Sequence, residues 1–289
     1  MKGVMSTTLK ILITSQKGGV GKSTVSANLA AYFAHTAGKS TALVDLDHQA
    51  TAGKWVRSAA PIGIQCISVE SPNNKGVGMA LLQARGALRA AKSTTEVLIA
   101  DLTWTDILPP EFLFEFDLVL VPSSLSRVEL DSTLEFINRF DFVFNSTLRN
   151  PPKLVVVPSR VVNMDTYSNI FYQSFTSAFF LSPPVRFNDK ASEFFGSEFF
   201  VKTSDDETRE NFIDFGRAIQ ELGRVQEAEK PKSKGLYQPK MSGSILDRFR
   251  AGRNAKDLGR IEVAANDYGP SLQDRIKAVI PSFLRPGGA

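Results

Sequence analysis

Lys17-Gly18-Gly19-Val20-Gly21-Lys22-Ser23-Thr24 follows an apolar run, Leu9 to Ile13, and precedes a helix-like stretch, Val25–His35. A strand thus feeds a glycine-rich turn that opens a helix. Backbone N–H groups of such a turn, with the positive end of the helix, cradle phosphate oxygens. Gly18, Gly19, Val20, Gly21, Lys22, Ser23 and Thr24 are therefore the expected nucleotide-binding residues. Lys22 would reach the β- and γ-phosphates, and the Ser23 hydroxyl would sit on Mg²⁺. The common form of this loop has a glycine five residues ahead of its Gly-Lys pair. Here that position is Gln16, and an extra lysine, Lys17, follows it.

Working outward, short β-branched or apolar runs alternate with helical patterns. Expected strands are Leu9–Ser15, Thr41–Leu46, Gly63–Val69, Glu96–Leu102, Asp117–Pro122 and Lys153–Pro158, with a weaker one near Pro184–Phe187. Expected helices are Ser23–Thr36, Gly76–Lys92, Val128–Phe144, Thr166–Phe180 and Asp206–Leu222. Strand–helix alternation with near-continuous apolar strands implies an α/β fold: a mainly parallel, twisted sheet with helices on both faces. Ligands of such sheets bind beyond the carboxyl ends of the strands, where the loop falls. The 21 phenylalanines, clustered at 112–116, 136–144, 171–180 and 194–200, read as helix-to-sheet packing.

A phosphate cradle could serve many chemistries, so the acids behind it decide. Ala42-Leu43-Val44-Asp45-Leu46-Asp47-His48-Gln49 ends the second strand with two carboxylates at i and i+2, pointing the same way. Val97-Leu98-Ile99-Ala100-Asp101 is an apolar strand ending in one acid, placed to hold Mg²⁺ through water. His48, alone in a turn, reads as a solvated polar residue, and His35 as structural.

These stretches resemble the ParA/MinD family of P-loop ATPases. The loop matches the deviant form K-G-G-x-G-K-[ST], whose extra lysine crosses a dimer interface to the partner's nucleotide. The second stretch matches D-x-D-P-Q except that His48 replaces the proline. The resemblance makes Lys17, Lys22 and Asp47 catalytic, Asp47 being tied to hydrolysis, and gives the metal to Ser23, Asp45 and Asp101. Beyond Asp101 the family continues D-x-P-P or D-x-P-G as a switch. This chain has Leu102-Thr103-Trp104-Thr105-Asp106, and its Pro109-Pro110 pair comes later. Phe116-Asp117-Leu118-Val119-Leu120-Val121-Pro122 is similar to the family's next strand. The likeness covers roughly residues 9–223 and is nearest to the short partition ATPases.

The 289 residues suit one large α/β domain with a tail, set here at 1–224 and 225–289. No stretch approaches the ~20 apolar residues of a spanning helix, and no signal-peptide pattern opens the chain. The single cysteine, Cys66, fits a reducing cytoplasm and weighs against a cluster or zinc bridging two subunits. From Arg224 onward stand 13 Lys/Arg against 7 Asp/Glu, so the tail carries the basic character. Short helices are expected in it at Ile245–Ala251 and Leu272–Ile280.

The resemblance implies a homodimer sandwiching two ATP molecules, binding non-specific DNA, and stimulated by an adaptor protein, ParB-like or cargo-borne, in the nucleoid-associated cytoplasm. Arg186, Lys190, Lys202, Arg217 and Arg224 are candidate DNA contacts, with tail lysines 230, 232, 234 and 240 adding charge. Leu272, Ile276, Val279, Ile280 and Phe283 at helical spacing admit a rival: a MinD-like, membrane-cycling ATPase. A third reading is a nucleotide-dependent scaffold with little hydrolysis, motivated by the unusual second switch. An amidoligase or small-molecule kinase on the same fold has no substrate pocket legible in the sequence.

Overall fold

The computed structural model describes residues 8–69, 77–105, 108–147, 150–163, 167–175 and 178–230. The tail elements expected at Ile245–Ala251 and Leu272–Ile280, and Lys232, Lys234 and Lys240, lie outside the described residues.

Among the described residues eight strands form the sheet: β1 (Leu9–Ser15), β2 (Thr41–Asp45), β3 (Ile64–Ser68), β4 (Val97–Thr103), β5 (Leu118–Ser123), β6 (Lys153–Val161), β7 (Phe180–Leu181) and β8 (Val185–Arg186). Their order is β3-β2-β4-β1-β5-β6-β7, with β8 pairing β6 beyond β7, and every pairing is parallel. Central strands such as Ile11–Ile13 and Leu98–Ala100 are fully buried, as strands covered on both faces must be.

Helices α1 (Lys22–Ala31), α2 (Thr51–Ser58), α3 (Val77–Lys92), α4 (Arg127–Arg139), α5 (Asp141–Phe144), α6 (Tyr167–Ser174), α7 (Ala191–Phe194) and α8 (Asp206–Glu229) complete the described elements with short 3-10 and π turns. The pleat sorts the core. Leu12, Ala42, Val44, Leu98 and Ala100 share one face with Ala84 and Leu88 of α3, Phe136 of α4 and Phe171 of α6. The alternate residues Ile11, Ile13, Leu43 and Ile99 are left for the opposite face, where α1 packs on β1, β2 and β4.

Several expected boundaries move, each for a local reason. The helix after the loop gives way at Tyr32–Thr36 to one π turn. The expected helix 128–144 breaks at Phe140, whose φ of −109° and ψ of 14° leave the helical region. The helix expected to reach Phe180 stops at Ser174, because Phe180–Leu181 pairs with β6 as β7. At the carboxyl end the folded unit continues past residue 224. α8 runs to Glu229, buried Gln226 donates Nε2–H to Pro151 O at 2.9 Å, and Lys230 pairs with Asp117 at 2.7 Å. Close packing holds α8 on α1's extension: a Cβ at Gly216 would lie 2.4 Å from the Tyr32 ring.

Helix α2 was not expected. Its eight residues include Gly53, a poor helix former. The glycine is needed because a Cβ there would stand 2.7 Å from Ser68 Oγ and 3.2 Å from Asp45 Oδ2. Its N–H donates to that same Asp45 oxygen at 2.7 Å, so α2 starts against the end of β2.

Candidate active site

β1 delivers the chain into the glycine loop at the carboxyl end of the sheet. Gly19 and Gly21 hold φ of 81° and 87°, the left-handed region that a side chain would strain. Two hydroxyls fix the loop from neighbouring strands: Ser15 donates to Lys17 O at 2.8 Å, and Ser159 of β6 donates to Val20 O at 2.9 Å. Helix α1 opens directly behind Gly21, with no side-chain cap on its first N–H groups. Those donors face the loop, as anion binding requires.

In front of the loop lies a cleft of about 760 Å³. Lys17, Gly18, Gly19, Gly21, Lys22, Ser23 and Thr24 line one wall, while Val20 is buried beneath it. Leu46, Asp47, His48 and Thr103 line another, and Ala80, Ala84 and Leu108 give it an apolar end.

The charged centre is compact. Buried Lys22 sends Nζ to Asp47 Oδ2 at 2.8 Å and to Asp101 Oδ1 at 3.0 Å. Burial opposes the Lys22 charge, but Asp101 and Asp47 outweigh it and raise the ammonium's pKa. Asp101 is fully buried and also accepts from Ser23 Oγ at 2.8 Å and Ser26 Oγ at 2.9 Å. Burial pushes the Asp47 carboxyl up, yet hydrogen bonds from Lys22 and Thr103 prevail and bring it down to about 2. Asp47 is therefore ionised, oriented and open to the cleft.

Asp45, expected to support the metal shell, is fully buried at the end of β2. Both its oxygens are occupied by backbone donors, Oδ1 by Asp47 N–H at 3.0 Å and Oδ2 by Gly53 N–H at 2.7 Å. Burial and the nearby Asp101 charge push its pKa up to about 6. Asp45 thus shapes the turn that presents Asp47 and seats α2. Its i, i+2 partner makes the direct contact with Lys22, because Asp47 lies past the end of β2 and escapes the strand's alternation.

Lys17 stands apart from this cluster. Its side chain is exposed at the cleft rim, and Nζ donates to Val128 O at 3.4 Å, not to an acid. His48 is exposed on the same rim. His35, read as structural, is exposed on the π turn and packs in no core.

Two hydroxyls that bond to these carboxylates escaped the sequence reading, Ser26 and Thr103. Both had a periodic signal: Ser26 is one helical turn beyond Lys22, and Thr103 follows Asp101 by two on one strand face.

The residues present fit a magnesium–triphosphate. The loop offers open backbone donors, and Ser23 Oγ touches the strand-end acid Asp101, the hydroxyl–carboxylate pair that holds such a metal. Among the described residues no helix is long and apolar enough to cross a membrane.

Comparison with known proteins agrees with this geometry. The chain is 39% identical over 129 residues to the chromosome-partitioning ATPase Soj of Thermus thermophilus, covering 43% of this chain and 49% of that protein. It thus spans about half the length of that relative. Among solved structures, an ATP complex of a McdA variant from Cyanothece superposes with a TM-score of 0.57 at 13% identity, over 78% of this chain and 98% of that one. The MinC:MinD cell division complex of Aquifex aeolicus superposes with a TM-score of 0.56 at 14% identity, over 74% and 96% respectively. At such identities the superpositions speak for the fold. Over residues 11–281, glycine loop and strand-end acids included, the sequence matches the family of CobQ/CobB/MinD/ParA nucleotide-binding domains, and the chain belongs to it.

Proposed function

We propose that this chain is an ATPase that dimerises on ATP, binds DNA non-specifically, and partitions or positions a cargo: a plasmid, a chromosome region or a large protein assembly. The observation that carries the reading is the contrast between two lysines of one loop. Lys22 is buried on Asp47 and Asp101, whereas Lys17 lies exposed at the rim on a carbonyl at 3.4 Å. A lysine so placed is available to a nucleotide held by a second copy.

The steps assigned to the chain's own residues follow from the cluster. Binding of triphosphate draws Lys22 from its carboxylates to the phosphate oxygens, and the loop N–H groups hold those oxygens. Ser23 and Asp101 would hold Mg²⁺, which when bound neutralises charge on the β- and γ-oxygens. Asp47, released by Lys22, orients the attacking water, since phosphoryl transfer depends on positioning more than on a strong base.

Sedimentation velocity tests the reading. The wild type is expected to shift from monomer to dimer with ATP and Mg²⁺, and Lys17→Ala to stay monomeric while still binding nucleotide. A wild type monomeric under all conditions would sink the dimer model.

For DNA, three candidate contacts are engaged locally: Arg186 with Glu207, Arg217 with Asp214 at 2.8 Å, and Arg224 with Glu221 at 2.7 Å. Lys230 likewise pairs with Asp117. Lys190 and Lys202 are exposed and become the preferred contacts. Replacing both by alanine is expected to weaken ATP-dependent DNA binding uniformly across sequences and lower the salt slope by about 2. An unchanged slope in a fluorescence-anisotropy titration removes them from the interface. An adaptor protein would set the release step in the nucleoid-associated cytoplasm. The membrane-cycling alternative rests on residues 272–283, outside those described.

A further inference from the structure

Thr103 lies two residues beyond Asp101 on β4, so both side chains leave one face of the strand. Asp101 is claimed by Lys22, Ser23 and Ser26, all from the loop and α1. Thr103 instead donates its Oγ1 hydrogen to Asp47 Oδ2. That oxygen therefore holds two donors, the Thr103 hydroxyl and Lys22 Nζ at 2.8 Å.

The two donors have different freedom. Lys22 is a flexible cation on the phosphate loop, and a bound triphosphate competes for it. Thr103 belongs to the sheet: it pairs in register with Ser15 of β1, and the next N–H, that of Trp104, donates to Ser15 O at 2.9 Å. The buried Trp104 ring then packs edge-on against Phe136 and Phe140, with centroids 6.0 and 5.0 Å away. A hydroxyl anchored in this way cannot follow the lysine.

We propose that Thr103 is a positioning residue for hydrolysis: its hydroxyl holds Asp47 in place once Lys22 has turned to the phosphates. Oδ2 then stays on Thr103 while Oδ1 stays on the Gln49 N–H at 3.1 Å, so the carboxylate keeps one orientation at the cleft wall. The inference rests on the ATPase reading above and assigns the segment 103–104, the part of the second switch that departs from the family pattern, to a fixed support.

Thr103→Val removes the hydroxyl at nearly constant volume, and Thr103→Ser keeps it. In the full-length protein Thr103→Val is expected to lower kcat for ATP hydrolysis about tenfold, leave KM within about twofold, and be rescued by Thr103→Ser. Binding of a fluorescent ATP analogue, measured in parallel, should be alike in all three proteins. An unchanged kcat in Thr103→Val overturns the proposal. So does an equal loss in Thr103→Ser, or nucleotide binding that falls in step with rate, since each marks a merely structural role. A wild type that never hydrolyses ATP overturns the ATPase reading and this one together. An active wild type beside an unaffected Thr103→Val overturns this one alone.

Discussion

Lys22→Ala is expected to lose nucleotide binding by at least about a hundredfold, because the loop forfeits its only buried cation on the phosphates. It is also expected to destabilise the nucleotide-free protein. Lys22 neutralises Asp47 and Asp101 at 2.8 and 3.0 Å, in a site where Asp101 is fully buried. Removing the cation from a buried pair costs about 3–5 kcal/mol. The pH dependence separates this charge effect from lost packing. In the wild type Asp47 sits at about 2, below its ordinary 3.8. A depressed carboxyl contributes stability that is present above pH 3.8 and lost as pH falls through about 2. The deficit of Lys22→Ala should therefore be largest near neutrality and shrink below about pH 4. Asp45, raised to about 6, runs the other way: its contribution is lost as pH rises from 3.8 through 6, and because Lys22 holds that value down, the variant should lose it over a wider range. Chemical denaturation of both proteins from pH 3 to 8 checks the prediction. A deficit independent of pH would mean that Lys22 contributes only by packing.

The sequence made the loop and the architecture legible because both rest on local pattern. Gly19 and Gly21 stand where a positive φ is needed, and the apolar runs coincide with the buried strands. Asp47 and Asp101 were found because an acid that closes an apolar run is a one-dimensional signal. What escaped depends on distances that spacing does not encode. Asp45 and Asp47 point alike on an ideal strand, but β2 ends at Asp45, and the turn separates their directions. Helix α2 was hidden by Gly53, whose helix-weakening lack of a Cβ is the room that Asp45 Oδ2 requires. The edge strand β7 has two residues, too few for a period to show, whereas β8 falls within the weak strand expected near Pro184–Phe187. Thr103 and Ser26 look like ordinary strand and helix residues until 56 and 75 residues of separation are closed by the fold.

Asp47→Ala is expected to reduce kcat for ATP hydrolysis by at least about a hundredfold while leaving ATP binding close to wild type. The asymmetry follows from where its two partners go. In the nucleotide-free site Asp47 is a counter-ion to Lys22; with triphosphate bound, Lys22 is satisfied by phosphate and no longer needs the carboxylate. Deleting Asp47 therefore removes competition for the lysine as well as the group that orients water. Nucleotide affinity should hold or rise, and ATP-bound dimers should accumulate because the step that dissolves them has stopped. Phosphate release together with sedimentation velocity, each with and without DNA, reads both halves. Equal phosphate release by wild type and Asp47→Ala would show that hydrolysis is not the working step. The nucleotide-dependent scaffold would then be the better description, with Trp104, packed against Phe136 and Phe140, holding the second switch rigid. A variant that hydrolyses slowly but falls apart into monomers would instead place Asp47 in the dimer contact, a role its position on the cleft wall beside Leu46 and Thr103 does not support.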